Sequence, residues 1–489
     1  MPRRLIDVQP ADGSVDARLV LTDDLRSNGA RLSYTTLSHC WGQPDTATRH
    51  AMITTPGSLP LRLAGISLQS LPRTFQDAIT ITRELRIRYL WIDSLCILQQ
   101  SPTEAADHET LKDWDEESEN MNSIYEEAEI CIIAAASDNP AGGCFVQTIG
   151  MPPRVTGGNW KSCFEHESLE CRRTLAEFAQ SGPLARRAWC LQERFLSRRI
   201  LHYTEYGMLW ECLSAIKLDD SIASTPLYKS ASFGWQLLPE KSNWLAGAYK
   251  DWHKVIQEYT PRSLTKDTDR LSAISGLAKG IANLTEDTYV AGLWLSKILD
   301  DLLWHCDVQN CGTGICARQQ SYIAPSWSWG ALKGPVLYSG WGDGHRYPAR
   351  LLSHAVIPSG RNTLGSQRSG HIWIAAPMKK ICIVFWKYKT EKGETLYLCN
   401  VAEIDAPKRK TNLKAFMDDR RDGPSNWEGC HTMWCIWLRE TPEANRKDGL
   451  LLLPVSLKTY TFRRVGYFNW WHNGEFCMEN SKVQKVRII

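Results

Sequence analysis

Three short, almost uninterrupted apolar runs constrain the amino-terminal half of this chain more than any other feature. Leu32–Cys40 (LSYTTLSHC), Tyr89–Leu98 (YLWIDSLCIL) and Ile130–Ser137 (ICIIAAAS) are rich in β-formers and too short for buried helices. Between them lie segments with helical spacing. The stretch LPRTFQDAITITRELR (71–86) has Pro72 near its start and Phe75, Ala78, Ile79, Ile81 and Leu85 apolar. The acidic DWDEESENMNSIYEEAE (113–129) turns Trp114, Met121, Ile124, Tyr125 and Ala128 to one side. A third helix, RRAWCLQERFLSRR (186–199), leads into RILHYTEYGMLWEC (199–212), which holds a fourth strand and room for a fifth. A strand with apolar residues at both parities must be covered on both faces, and strand–helix alternation builds parallel βαβ units that do so. We therefore expect an α/β domain with parallel strands near 34–39, 89–97, 130–136 and 200–206.

Ligands in such sheets bind at the carboxyl ends of the strands, near the point where strand order reverses. Those ends carry His39, Cys40 and Trp41, then Asp93, Ser94 and Cys96, then Ser137 and Asp138. His39, Trp41, Asp93, Ser94 and Ser137 are accordingly candidate substrate-binding residues. Asp93 ends a buried strand, where an unpaired charge is costly, so it either caps a neighbouring helix or lines the site. His39 and Cys40 are neighbours on one strand and point to opposite faces, which argues against a Cys–His nucleophilic pair.

On the 186–199 helix, Leu184, Ala188, Leu191 and Phe195 share a narrow apolar stripe at about 100° per residue, with Arg187, Arg194 and Arg198 beside it, heads in water. Glu193 belongs to neither set. It stacks between Trp189 and Leu196 on a second face that also reads as buried. It either pairs with one of the arginines or serves a site.

At 489 residues the chain exceeds one core. We divide it into an amino-terminal extension (1–30), the α/β domain (31–213), a Ser/Thr/Pro-rich linker (214–245), a helical region (246–345) and a β-rich region (346–489). The loop-like stretch after Ser137 runs to about Gly182. With 57 basic and 54 acidic residues, the net charge of +3 makes no electrostatic case for nucleic acid. No leader-like segment opens the chain and no apolar run is long enough to cross a membrane, so we expect a cytoplasmic protein without a membrane partner. In that compartment the sixteen cysteines read as thiols, not a disulfide framework. Cys306, Cys311 and Cys316 lie beside His305 at a spacing that matches no zinc pattern, so no metal is expected. Phosphate-binding Gly-rich loops, H-E-x-x-H and G-x-S-x-G are absent.

The blocks LSYTTLSHCWGQPDT, LPRTFQDAITITRELRIRYLWIDSLCILQQ, DWDEESENMNSIYEEAEICIIAAAS and RRAWCLQERFLSRRILHY resemble, in order, those of the fungal heterokaryon-incompatibility (HET) domain over Leu32–Cys212. TPRSLTKDTDRLSAISGLA, YVAGLWLSKILDDLLW and IAPSWSWGAL resemble the region that commonly follows it. HET domains in turn resemble TIR domains, which have a flavodoxin-like sheet and, in their enzymatic members, hydrolyse NAD. The WCLQE run at 189–193 is similar to the TIR Trp-Cys-Leu-x-Glu pattern, which places Glu193 on the catalytic glutamate. The resemblance implies NAD as substrate and no bound cofactor, with Glu193 catalytic and Trp189 as a wall of the crevice or a core residue. It implies an effector of incompatibility and cell death, acting as a homo-oligomer or with an incompatibility partner protein. Two alternatives stay open: a non-catalytic self-assembly or recognition module, and a HET-related enzyme of fungal secondary metabolism acting on another small molecule.

Overall fold

A computed structural model describes residues 1–10, 13–25, 32–100, 108–148, 179–180, 182–213, 215–218, 225–226, 244–306, 316–338, 344–389, 395–403, 406–419, 429–471, 478 and 481–489. Most of the loop stretch to Gly182, most of the linker at 214–245, and Cys311 lie outside them. The chain forms two compact units, Met1–Lys241 and Ser242–Ile489.

The first unit is a mixed sheet with helices on both faces. Its strands are β1 (Arg4–Asp7), β2 (Arg18–Leu21), β3 (Tyr34–Ser38), β4 (Tyr89–Ile92), β5 (Ile130–Ile133), β6 (Arg199–Thr204) and β7 (Gly207–Cys212), with two short additions, β8 (Ala215–Leu218) and β9 (Thr225–Pro226). The order is β2-β1-β4-β3-β5-β6-β7-β8-β9. The four central strands β4, β3, β5 and β6 are parallel. Antiparallel strands extend them on both sides, β1 along β4 and β7 along β6. The segment read as an extension, residues 1–30, thus supplies two strands of the sheet; RLID and RLVL are too short for their period to stand out. The run read as one strand over 89–97 ends at Ile92 and turns into the helical turn Asp93–Cys96, and the strand expected over 130–136 ends at Ile133.

Helices α1 (Thr46–Met52), α2 (Arg73–Glu84), α3 (His108–Glu127) and α4 (Ala188–Leu196) pack around these strands. Strand β3 shows how the two faces differ. The Tyr34 hydroxyl donates to the Ile124 carbonyl of α3 at 2.7 Å, whereas the Thr35 hydroxyl meets that of Thr82 on α2 at 2.7 Å. Even positions of β3 therefore look to α3 and α4, and odd positions to α2, as the two-residue period of a strand requires. The core between them is apolar, with Leu37, Phe75, Ile79, Leu90, Trp91, Ile92, Ile124 and Ile132 almost fully buried.

The second unit begins with helices Trp244–Tyr259 and Ser275–Thr285 and ends in an eight-stranded sheet from Arg350 to Ile488. Its pairings are antiparallel except for the one between Thr461–Trp471 and Val483–Ile488. Arg464 is wholly buried there. Its guanidinium pairs with Asp418 at 2.9 Å and lies 3.3 Å over the Trp304 ring.

Nine of the described cysteines are free thiols. Cys382 is disulfide-bonded, contrary to the reading of all sixteen as thiols: residue spacing alone does not show which cysteines the fold brings together. Among the described residues no helix is long and apolar enough to cross a membrane.

Candidate active site

Numbering only the parallel strands, the order is 2-1-3-4, so the connections that leave the adjacent strands β3 and β5 run in opposite directions. Crevices open at such a switch point, at the carboxyl edge. There the loops after β3 and β5 close on each other. Gly42 has φ +57°, and a Cβ on it would lie 2.8 Å from the Asn139 Cβ, so only glycine fits.

Helix α4 carries Glu193 to this edge. Arg187 precedes the helix in extended backbone, and Ser197 ends it, its hydroxyl donating to the Glu193 carbonyl at 2.7 Å. The Glu193 side chain is 6% exposed, and the Ser38 hydroxyl, at the last position of β3, donates to its Oε2. Burial pushes the Glu193 carboxyl up to about 7; the Asp93 carboxylate adds to the rise, and Ser38, Arg187 and Cys190 oppose it.

Asp93 stands at the end of β4. Its Oδ2 accepts from the Trp41 Nε1–H at 3.1 Å and its Oδ1 from the Ser94 amide at 2.7 Å. Burial raises the pKa of Asp93 as well, against the pull of Arg187. Arg187 lies within electrostatic reach of both carboxylates, and its Nη1–H donates to the His39 carbonyl at 2.6 Å. Trp41, Asp93, Arg187 and Glu193 thus converge on one edge, with Ser38 beneath them. Such a set presents a guanidinium for anionic groups and two carboxylates for developing positive charge.

The other expected residues sit differently. The His39 ring is on the odd face, edge-on to Phe75 of α2 at 4.9 Å and near-parallel to Trp41 at 6.5 Å. It is 3% exposed, its Nε2 has no partner, and burial followed by the Arg187 charge holds it neutral, down to about 3. Its carbonyl, not its ring, reaches Arg187. Ser94 is fully buried with an unpartnered hydroxyl, and its carbonyl accepts from the Thr54 amide at 3.1 Å. The Ser137 hydroxyl donates to the Gly143 carbonyl at 2.6 Å and closes its own loop. Trp189 is half-buried and edge-on to Trp114 of α3 at 6.1 Å, so its ring packs between two helices.

Two features escape sequence reading. Ser38 flanks His39, already singled out, but only the fold turns it toward Glu193, whereas Arg187 is one of the arginines the sequence offers Glu193 as a partner. Arg194, expected with its head in water, is buried. Its Nε–H and Nη2–H both donate to Glu211 of β7 at 2.9 Å, and the His202 Nε2 lies 2.6 Å from the same carboxylate. The opposite edge of the sheet holds a shallow concavity of about 630 Å³, lined in part by Arg86, Arg88, Glu129 and Arg199. Among the described residues, no group of His, Cys, Asp and Glu is placed to hold a metal ion.

Residues 34–193 match the family model described as heterokaryon incompatibility protein (HET). No curated protein and no solved structure matches the chain.

Proposed function

We propose, from the heterokaryon-incompatibility domain that the chain carries at residues 34–193, that it is a TIR-like, flavodoxin-type NAD glycohydrolase acting as an effector of incompatibility and cell death. One observation carries the reading: Glu193 is held by Ser38 at the carboxyl end of the central parallel strand, with Arg187 within electrostatic reach of both it and Asp93.

The chemistry follows from these groups. Breaking the nicotinamide–ribose bond passes through an oxocarbenium-like state. The leaving pyridinium departs as neutral nicotinamide, so this bond needs no proton. Ionised Glu193 stabilises the positive charge that grows on the ribosyl carbon, which is where a preorganised anion is worth most. The Arg187 guanidinium offers donors to the pyrophosphate. Half-buried Trp41 offers a ring for stacking. Water then adds to the ribosyl carbon and loses a proton to solvent, giving ADP-ribose.

Incubating the purified full chain with NAD and separating the products tests this. Nicotinamide and ADP-ribose in equal amounts are expected, and NAD left intact, both alone and after forced assembly, sinks it. One observation favours the second reading, a non-catalytic recognition module: a glutamate nine-tenths buried and hydrogen-bonded to a serine also fits a purely structural role. For that reading Glu193→Gln destabilises the fold.

A further inference from the structure

The site contains a second carboxylate that NAD cleavage does not use. We infer that it also takes a second substrate class, N-ribosides whose leaving base is neutral, with Glu193 as general acid and Asp93 as the carboxylate that stabilises the ribosyl cation. This rests on the ribosyl-cleaving reading above.

The two carboxyls are not equivalent. Both Asp93 oxygens accept from N–H donors, the Trp41 indole and the Ser94 amide, which favours the anion. Glu193 lies deeper and receives only the Ser38 hydroxyl and the Cys190 thiol. Two carboxylates coupled by charge resist ionising together, and the one with weaker donors keeps its proton to higher pH. The groups facing Glu193 are Asp93 after β4, Arg187 and Cys190 at α4, Cys40 after β3, Tyr125 on α3 and Cys131 on β5. Only Arg187 among them is a cation. Burial raises all four of the others apart from Asp93, so they stay protonated and neutral near pH 7.

A neutral base differs from nicotinamide in needing a proton as it leaves. Glu193 gives its proton to the base nitrogen while the C1′–N bond breaks and its electron pair goes to the base. Asp93 faces the resulting cation. Water bonds to C1′ and returns a proton to Glu193, so the sum is hydrolysis to free base and free ribosyl sugar. Pairs of carboxyls with divided roles do the same work on O-glycosides. NAD cleavage requires ionised Glu193 and neutral-base release requires protonated Glu193, so the two activities must run oppositely with pH.

The test uses the full chain with NAD and with adenosine 5′-monophosphate, whose phosphate also suits Arg187, from pH 5.5 to 8.5. NAD cleavage is expected to rise, and adenine release to fall, through a common midpoint near that of Glu193. In Asp93→Asn the like charge is gone, so the NAD profile moves to lower pH while adenine release drops roughly a hundredfold. The wild-type profiles need no variant to fold. NAD cleaved with the monophosphate intact at every pH overturns this inference and leaves the NAD reading standing. Adenine released with NAD intact does the reverse. Both activities rising together with pH also overturns it.

Discussion

Near neutral pH the Glu193 carboxyl sits around its own midpoint, which ties stability and the proposed activity to the same proton. Its pKa rises from the ordinary value of 4.5 to about 7 on folding, with burial the largest cause. A group raised in the folded state stabilises fully below its unfolded value and loses that contribution as pH climbs through the folded one. For Glu193 the window is about pH 4.5 to 7, and the loss is about 3 kcal/mol. Glu193→Gln keeps the shape and cannot ionise. Its Tm should match wild type at pH 5 and exceed it by several degrees at pH 8, as thermal melts at both values will read. The same variant should lower kcat for NAD by about 10²–10³ while KM changes little. A variant less stable than wild type at pH 8 would place Glu193 in a structural ion pair.

At the scale of elements, α4 is bound to the sheet by charge as well as by its apolar stripe. Arg194 reaches across to Glu211 of β7, and His202 of β6 completes the cluster, all three buried. Arg194 holds the Glu211 carboxyl far below the usual range despite burial. Arg194→Met leaves that anion without its cation, and breaking a buried pair this way typically costs about 3–5 kcal/mol. Arg194→Met with Glu211→Leu removes both charges and should recover most of the loss in urea melts. A single variant within about 1 kcal/mol of wild type would show the cluster to be dispensable. The length of β4 is decided at this scale too. Tyr89–Ile92 pairs with β3, but Asp93 takes the Ser94 amide and turns the chain into a helical turn. A one-dimensional count of apolar residues runs straight through that point.

For the whole molecule, every residue proposed for the chemistry lies in the unit Met1–Lys241. A chain truncated after Lys241 should therefore retain NAD cleavage within about tenfold of the full chain, compared at equal amounts of folded protein. Loss of cleavage by a truncated chain with native circular dichroism would assign part of the site to residues beyond it.

Residues of the chain determined the central parallel strands by themselves, because Thr35, Leu37, Leu90, Ile92, Ile132 and their neighbours are apolar or small at both parities and must be covered on both faces. They also marked Glu193 as anomalous and set Asp93 at a strand end. Local sequence could not show that RLID and RLVL join the sheet, since four-residue strands have too little pattern to read. Nor could it show which charges meet. Ser38 and Glu193 are 155 residues apart, and Trp41 and Asp93 are 52. The parity of β3 decided that Ser38 looks to Glu193 while His39 looks to Phe75, and packing of α4 decided that Arg194 is buried and Trp189 rests on Trp114. Hydrophobic pattern is a property of neighbours in the chain, whereas the electrostatics of a site belong to residues that only the folded sheet makes neighbours.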